Sequence, residues 1–342
     1  MEQNEFTGPV PVLDPDGYPQ NFGWSKQPVF YYDSALTMTS RRQISESDRY
    51  IIFTPTHQCI FEIRDDGWLG HVVMTIISLR DKKRSTQSFR TLLPMGTYEM
   101  PVTSTKGSIR YSNKKSKLDF IAMEGGARII KADIRNFGHN RSMRGEVVLS
   151  EPETAESIVT NQHWRNEKYA FRYTRCSPWY IAEGVIQFGS SEIIFTRGNA
   201  WGIFEWNRGI RPKEDIRYWA AGSGISKGKH ISFAIGYSSA DFSPGTENAF
   251  FIDGKLHKLD KITFHIPPSN WLKLWRFTSN NNRFEMTFTP HQFRIEKRRL
   301  LLYNSTRRQL CGFFSGRAVL DDGSTIEFRK ITGFAERSKM KF

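Results

Sequence analysis

Cysteine is scarce in this chain. Cys59, Cys176 and Cys311 are the only three in 342 residues, too few and too far apart for a disulfide framework or a zinc ribbon. A reducing compartment, the cytoplasm, is expected. Long apolar runs are missing too: no window approaches the ~18 uninterrupted apolar residues of a membrane-spanning helix. Met1–Val12 carries Glu2 and Glu5 instead of a basic region followed by an apolar one, so this stretch is not expected to act as a signal peptide. The eight histidines include no close metal-binding pair, and His257 and His265 are too far apart to make a ligand set by themselves. Gly222-Ser223-Gly224 lacks the flanks of a nucleophile elbow, and Gly222 to Lys229 misses the spacing of a phosphate-binding loop. No metal and no cofactor is expected.

Acidic residues are also in deficit. There are 35 against 49 Lys and Arg, a formal net charge of +14. That balance admits an anionic partner but requires none. The densest basic stretch runs from Arg294 to Arg308 around Leu300-Leu301-Leu302-Tyr303. Without a nucleic-acid-binding motif beside it, it reads as the solvated face of a hairpin.

Helical periodicity is sparse, and only Glu151 to Trp164 could support a short helical turn. Alternation dominates. It runs through Cys59-Ile60-Phe61-Glu62-Ile63-Arg64, Ser108-Ile109-Arg110-Tyr111, Arg283-Phe284-Glu285-Met286-Thr287-Phe288-Thr289 and Ser324-Thr325-Ile326-Glu327-Phe328-Arg329, the pattern of half-buried strands. Asp66-Gly67, Gly125-Gly126, Asp253-Gly254 and Asp322-Gly323 supply hairpin turns. The fold class is therefore all-β, two tandem antiparallel barrels or sandwiches that hide their edges. We expect an N-terminal loop segment over 1–24, a first β-domain over 25–212 and a second over 213–342.

Aromatics make up 14% of the chain, with 9 Trp and 26 Phe, enough to wall a ligand cavity as well as a core. They concentrate where acids and arginines also gather, from Trp201 to Leu259. Glu205 stands between Phe204 and Trp206, neighbours that could desolvate it and let it hold a proton near neutral pH. It is the candidate general acid, with Arg208 to tune it or fix a polar end and Glu247 as a further candidate. Trp201, Trp206, Tyr218, Trp219, Asn248 and Tyr173 are the candidate ligand contacts. Each has a plainer alternative. Glu205 could pair with Arg208 or Arg211, Glu247-Asn248 could be turn chemistry, and the aromatics could be core.

Gly17-Tyr18-Pro19-Gln20-Asn21-Phe22-Gly23-Trp24-Ser25-Lys26-Gln27-Pro28, Glu205-Trp206-Asn207-Arg208-Gly209, Thr246 to Leu259, Gly312-Phe313-Phe314-Ser315-Gly316 and Gly333-Phe334-Ala335-Glu336 together resemble the bacterial family catalogued as domain of unknown function 2804. Over Tyr169 to Thr174, Gly184-Val185-Ile186, Gly198 to Gly209 and Arg217-Tyr218-Trp219 the chain is more distantly similar to tandem lipocalin-like proteins that include carotenoid hydratase. That similarity implies lipocalin-like barrels and an acid that protonates an isolated double bond. Glu205 falls where that group typically has Asp, and Trp206 where it has a His that would help activate water.

Three functions stay open. One is a cofactor-independent lyase, hydratase or isomerase acting on a largely apolar small molecule, with Glu205 as proton donor. Another is a non-catalytic carrier of a hydrophobic or amphipathic ligand. The third is a glycan-processing enzyme pairing Glu205 with Glu247 or Asp215. The expected partner is a small molecule, with no specific nucleic acid and no transmembrane segment.

Overall fold

A computed structural model describes residues 3–138, 141–152, 154–300 and 303–341. Among these the chain is all-β, with helix limited to three 3-10 turns at Ser34–Leu36, Arg41–Gln43 and Glu124–Gly126. The expected helical turn in 151–164 is absent from the described residues. That window instead holds the strand Ile158–His163, which pairs with Phe171–Phe188 on one side and Gly23–Ser25 on the other. Ladder hydrogen bonds on both sides override the weak local helical signal.

Two large sheets account for nearly all the strands. The first is thirteen-stranded among the described residues, and its centre is Ile44–Phe53, Trp201–Ile210 and Phe171–Phe188 side by side. The second is nine-stranded, with Lys229–Ser238, Glu214–Ser226, Thr325–Lys341, Tyr303–Val319 and Phe284–Leu300 in that order at its middle. Each sheet curls around its own core as a half-barrel, the tandem antiparallel arrangement expected from the alternation. The first core includes Tyr50, Phe61, Phe120, Phe204 and Trp206. The second includes Phe233, Phe250, Trp275, Phe288 and Phe314.

A third cluster lies between the sheets. Successive side chains of a strand point to opposite faces, so a strand buried on both sides feeds two cores. Ile51 and Phe53 alternate with Tyr50 and Ile52, and Ile203 alternates with Phe204. From the second sheet, Trp219 and Ala221 alternate with Ala220, and Phe334 with Ala335. Ile51, Ile203, Trp219 and Phe334 therefore meet across the junction. Fully burying a Val, Leu, Ile, Phe or Met side chain contributes roughly 1.5–3 kcal/mol. The N-terminal segment reaches the second sheet as well, through the Asn4 amide on the Pro244 carbonyl at 2.7 Å and the Thr246 amide on Gln3 Oε1 at 2.7 Å.

Candidate functional site

Strand alternation decides where the candidate residues go. Glu205 is paired in register with Arg49 on one side and Cys176 on the other. With Ile203 it faces the second sheet, whereas Phe204, Trp206 and Arg208 point into the first half-barrel. Phe204 and Trp206 therefore do not desolvate Glu205, contrary to the expectation from sequence. The opposing sheet does. Its partner is neither Arg208 nor Arg211 but Arg49, which forms a short ion pair with Oε2, while Trp219 Nε1 donates to Oε1 at 2.6 Å.

The other candidates divide between the faces. Arg208 is buried, donating to Asp48 Oδ1 at 2.9 Å and to the Pro101 carbonyl at 2.9 Å, and it also borders the cleft described below. Its guanidinium lies 4.3 Å from the Trp206 ring centroid. Tyr173 packs edge-on against Trp206 at 4.7 Å and donates its hydroxyl to the Phe30 carbonyl. Arg208, Trp206 and Tyr173 are thus core residues that cannot reach Glu205. Tyr218 stacks on Tyr237 at 4.8 Å against the second core, and Trp201 lies beside His230 at 6.3 Å. Asn248 fixes its own loop, accepting from the Gly236 amide at 2.6 Å and donating to the Asp260 carbonyl at 2.8 Å. Only Trp219 and Glu247 join Glu205. These three, with Cys176, Asn207 and Arg217, line a cavity of about 10 Å³, on the order of one water molecule.

Around Glu205 the junction carries an ion network built from both sheets. Arg49 also donates to Glu336 at 3.1 and 3.3 Å, Gln309 donates to the same carboxylate at 3.3 Å, and Arg307 bridges from there to Glu62 at 3.1 Å. Burial pushes the Glu62 and Glu336 carboxyls up. The guanidiniums of Arg307 and Arg64 at Glu62, and of Arg49 and Arg307 at Glu336, outweigh it and hold both below the usual range. Glu247 accepts from Arg217 at 2.8 and 3.2 Å and lies 3.9 Å from Arg172.

Past this network the sheets part into a cleft of about 150 Å³. Arg64, Arg172, Arg208, Arg211, Arg217, Arg298 and Arg307 line it, against the carboxylates of Asp66, Asp215, Glu296 and Glu336. Trp164, Phe171, Ile210, Tyr303 and Met340 supply apolar wall. The cleft is guanidinium-rich, not the greasy hollow that the aromatic content implied. At Glu296 burial raises the carboxyl, but Arg298 and Arg307 prevail and bring it down to about 2. Arg172 is held by Gln162 Oε1 at 3.0 Å and Ser238 Oγ at 2.9 Å, with its Cζ 5.6 Å from the Trp164 ring centroid. Its buried Nε has no hydrogen-bond partner among the described residues.

Arg49, Glu62, Arg172, Glu336 and Arg307 escaped the sequence reading. A signal existed for two of them: Glu62 and Glu336 each interrupt an apolar strand at a position whose i±2 neighbour, Ile60 or Phe334, is buried between the sheets. Arg298 and Arg307, expected on a solvated hairpin, face the cleft instead, and Leu301 and Leu302 of that run lie outside the described residues. Among the described residues no group of three or more His, Cys, Asp or Glu could hold a metal ion, and no helix is long and apolar enough to cross a membrane.

The search of curated proteins found no match. Among solved structures the chain is similar to a Nitrosomonas europaea protein provisionally described as AttH, at 12% identity and a TM-score of 0.48, covering 86% of this chain and 91% of that one. It is also similar to kievitone hydratase from Nectria haematococca, at 9% identity and a TM-score of 0.44, covering 87% and 88%. The family model described as domain of unknown function DUF2804 matches residues 3–342, and the chain belongs to that family.

Proposed function

We propose that the inter-sheet cleft binds a small amphipathic molecule carrying an anionic group, and that the chain divides into units 25–212 and 213–342 which each supply one wall. The observation that carries this is Arg172. It is a mostly buried guanidinium with an unpartnered Nε beside an indole, in a cleft where arginines outnumber carboxylates. A buried donor without an acceptor costs about 1–3 kcal/mol, and an anionic ligand oxygen would supply the missing acceptor. Trp164, Phe171 and Met340 would cover the apolar part. The buried thiols of Cys59, Cys176 and Cys311 support a cytoplasmic location.

Isothermal titration with octanoate, octyl phosphate and octanol tests the reading. At least one anion should bind tenfold or more tighter than the alcohol, and Arg172→Met should abolish the difference. Equal binding of all three, or binding of none, overturns it.

A second reading keeps Glu205 as a proton-transfer group in a cofactor-independent lyase, hydratase or isomerase. In its favour, the one-water cavity beside Glu205 and Glu247 shares Asn207 and Arg217 with the cleft. Against it, both Glu205 oxygens already accept from protein donors. Turnover of a cleft ligand that disappears in Glu205→Gln, with affinity retained, supports this second reading. Turnover that survives the substitution removes it.

A further inference from the structure

The basic run Arg294–Arg308 splits by strand alternation, and the cleft uses one half of it. Glu296, Arg298 and Arg307 turn toward the first sheet. The alternate residues lie on three directly paired rows that cross the second sheet: Ile295, Arg308 and Arg337; Lys297, Thr306 and Lys339; Arg299, Asn304 and Lys341. Directly opposed residues of an antiparallel pair share a face. The rows therefore continue the surface formed by Leu310 and Ala335 past the end of the second core. Six of these nine residues are cationic. The rows end on the neighbouring strand at Tyr218, Ile216 and Glu214, and the single acid among them, Glu214, sits 3.4 Å from Lys339. Lys297, Arg299, Lys339 and Lys341 are exposed.

Apolar groups border the charge. Ile295 is 44% exposed and Phe293 38%. The Trp271 ring lies 5.9 Å from that of Phe293 and 5.3 Å from the Arg308 guanidinium. Next to Trp271 in the chain, Leu272 and Leu274 are 49% and 57% exposed. Cations interleaved with an indole and bare aliphatic side chains match a lipid surface, where lysine and arginine meet anionic headgroups while tryptophan and leucine enter the interface. A nucleic-acid backbone would use the cations and leave the leucines without a role.

We propose that this face of the second sheet docks on an anionic phospholipid bilayer. The cleft lies on the opposite face of the same strands, so docking leaves it open. The proposal does not depend on the cleft's ligand.

Vesicle co-sedimentation tests it, using phosphatidylcholine alone and phosphatidylcholine with 30% phosphatidylserine. At 0.1 M salt the full chain should partition at least tenfold more strongly onto the anionic vesicles, and 0.5 M salt should remove most of that gain. Lys297→Glu with Lys341→Glu should cut partitioning at least tenfold. Leu272→Ser with Leu274→Ser should weaken it severalfold and leave the residual binding more salt-sensitive. Lys114→Glu with Lys115→Glu, an exposed pair at a turn of the first sheet, removes the same charge elsewhere and should leave binding intact. Equal partitioning onto both vesicle types, equal loss from the two charge-reversal pairs, or binding to a 20-base-pair DNA duplex without binding to vesicles would each overturn the proposal.

Discussion

Arg49 holds two carboxylates, Glu205 on its own sheet and Glu336 on the other. Removing one partner of a buried ion pair leaves the other charge uncompensated, at about 3–5 kcal/mol. We expect Arg49→Met to lower the urea unfolding free energy by about that much, and Glu336→Gln by less because Glu205 keeps its pair. A second residue-scale effect concerns two buried imidazoles. Burial, joined at His71 by the Arg298 charge, pushes His71 and His230 each down to about 3. The folded chain keeps them neutral while the unfolded chain takes up protons below 6.5, so stability is intact above that pH and declines as pH falls toward 3. The loss is about 2 kcal/mol per histidine by pH 5. Chemical denaturation at pH 7 and pH 5 measures it, and His230→Gln should shrink the difference by about 2 kcal/mol. At this scale the sequence revealed Glu205 as a buried acid but assigned the wrong cause, because residues adjacent along a strand point away from each other and only i±2 neighbours share its surroundings.

Elements were the most legible level. Each alternating segment became strand, and Gly67, Gly254 and Gly323 adopt φ of +76°, +82° and +84° at the expected turns. What alternation could not reveal was length and phase. Phe284–Leu300 and Tyr303–Val319 each run 17 residues, and a shift between Pro290 and Gln292 changes which side chains face the core. That hidden change of phase is why the basic run could not be divided into its cleft half and its outer half from sequence alone. Close strand approach sets a further constraint. A Cβ at Gly209, which lines the cleft, would stand 2.1 Å from the Phe171 carbonyl oxygen and 3.2 Å from Arg172 Cα. Gly209→Ala must therefore part these two strands. We expect it to destabilise the fold by about 1–3 kcal/mol and to weaken anion binding along with Arg172→Met, a loss visible by thermal melting and titration of the same sample.

For the whole molecule, the decisive feature is that two half-barrels pack across a shared junction and leave a cleft where that junction opens. Sequence showed only a surplus of aromatics. The pairing of Trp219 with Glu205, or of Arg49 with Glu336, joins residues of different sheets that no local pattern connects. Both half-barrel interiors hold cores of their own buried side chains, and the ligand site proposed above lies at the junction between them. Hydrogen–deuterium exchange with and without a bound anionic amphiphile tests this most directly. Slowed exchange should appear on both walls, over residues 207–211 of the first sheet and 215–217, 296–298 and 305–307 of the second. Protection confined to the first half-barrel interior, over residues 128–137 and 141–150, would contradict it.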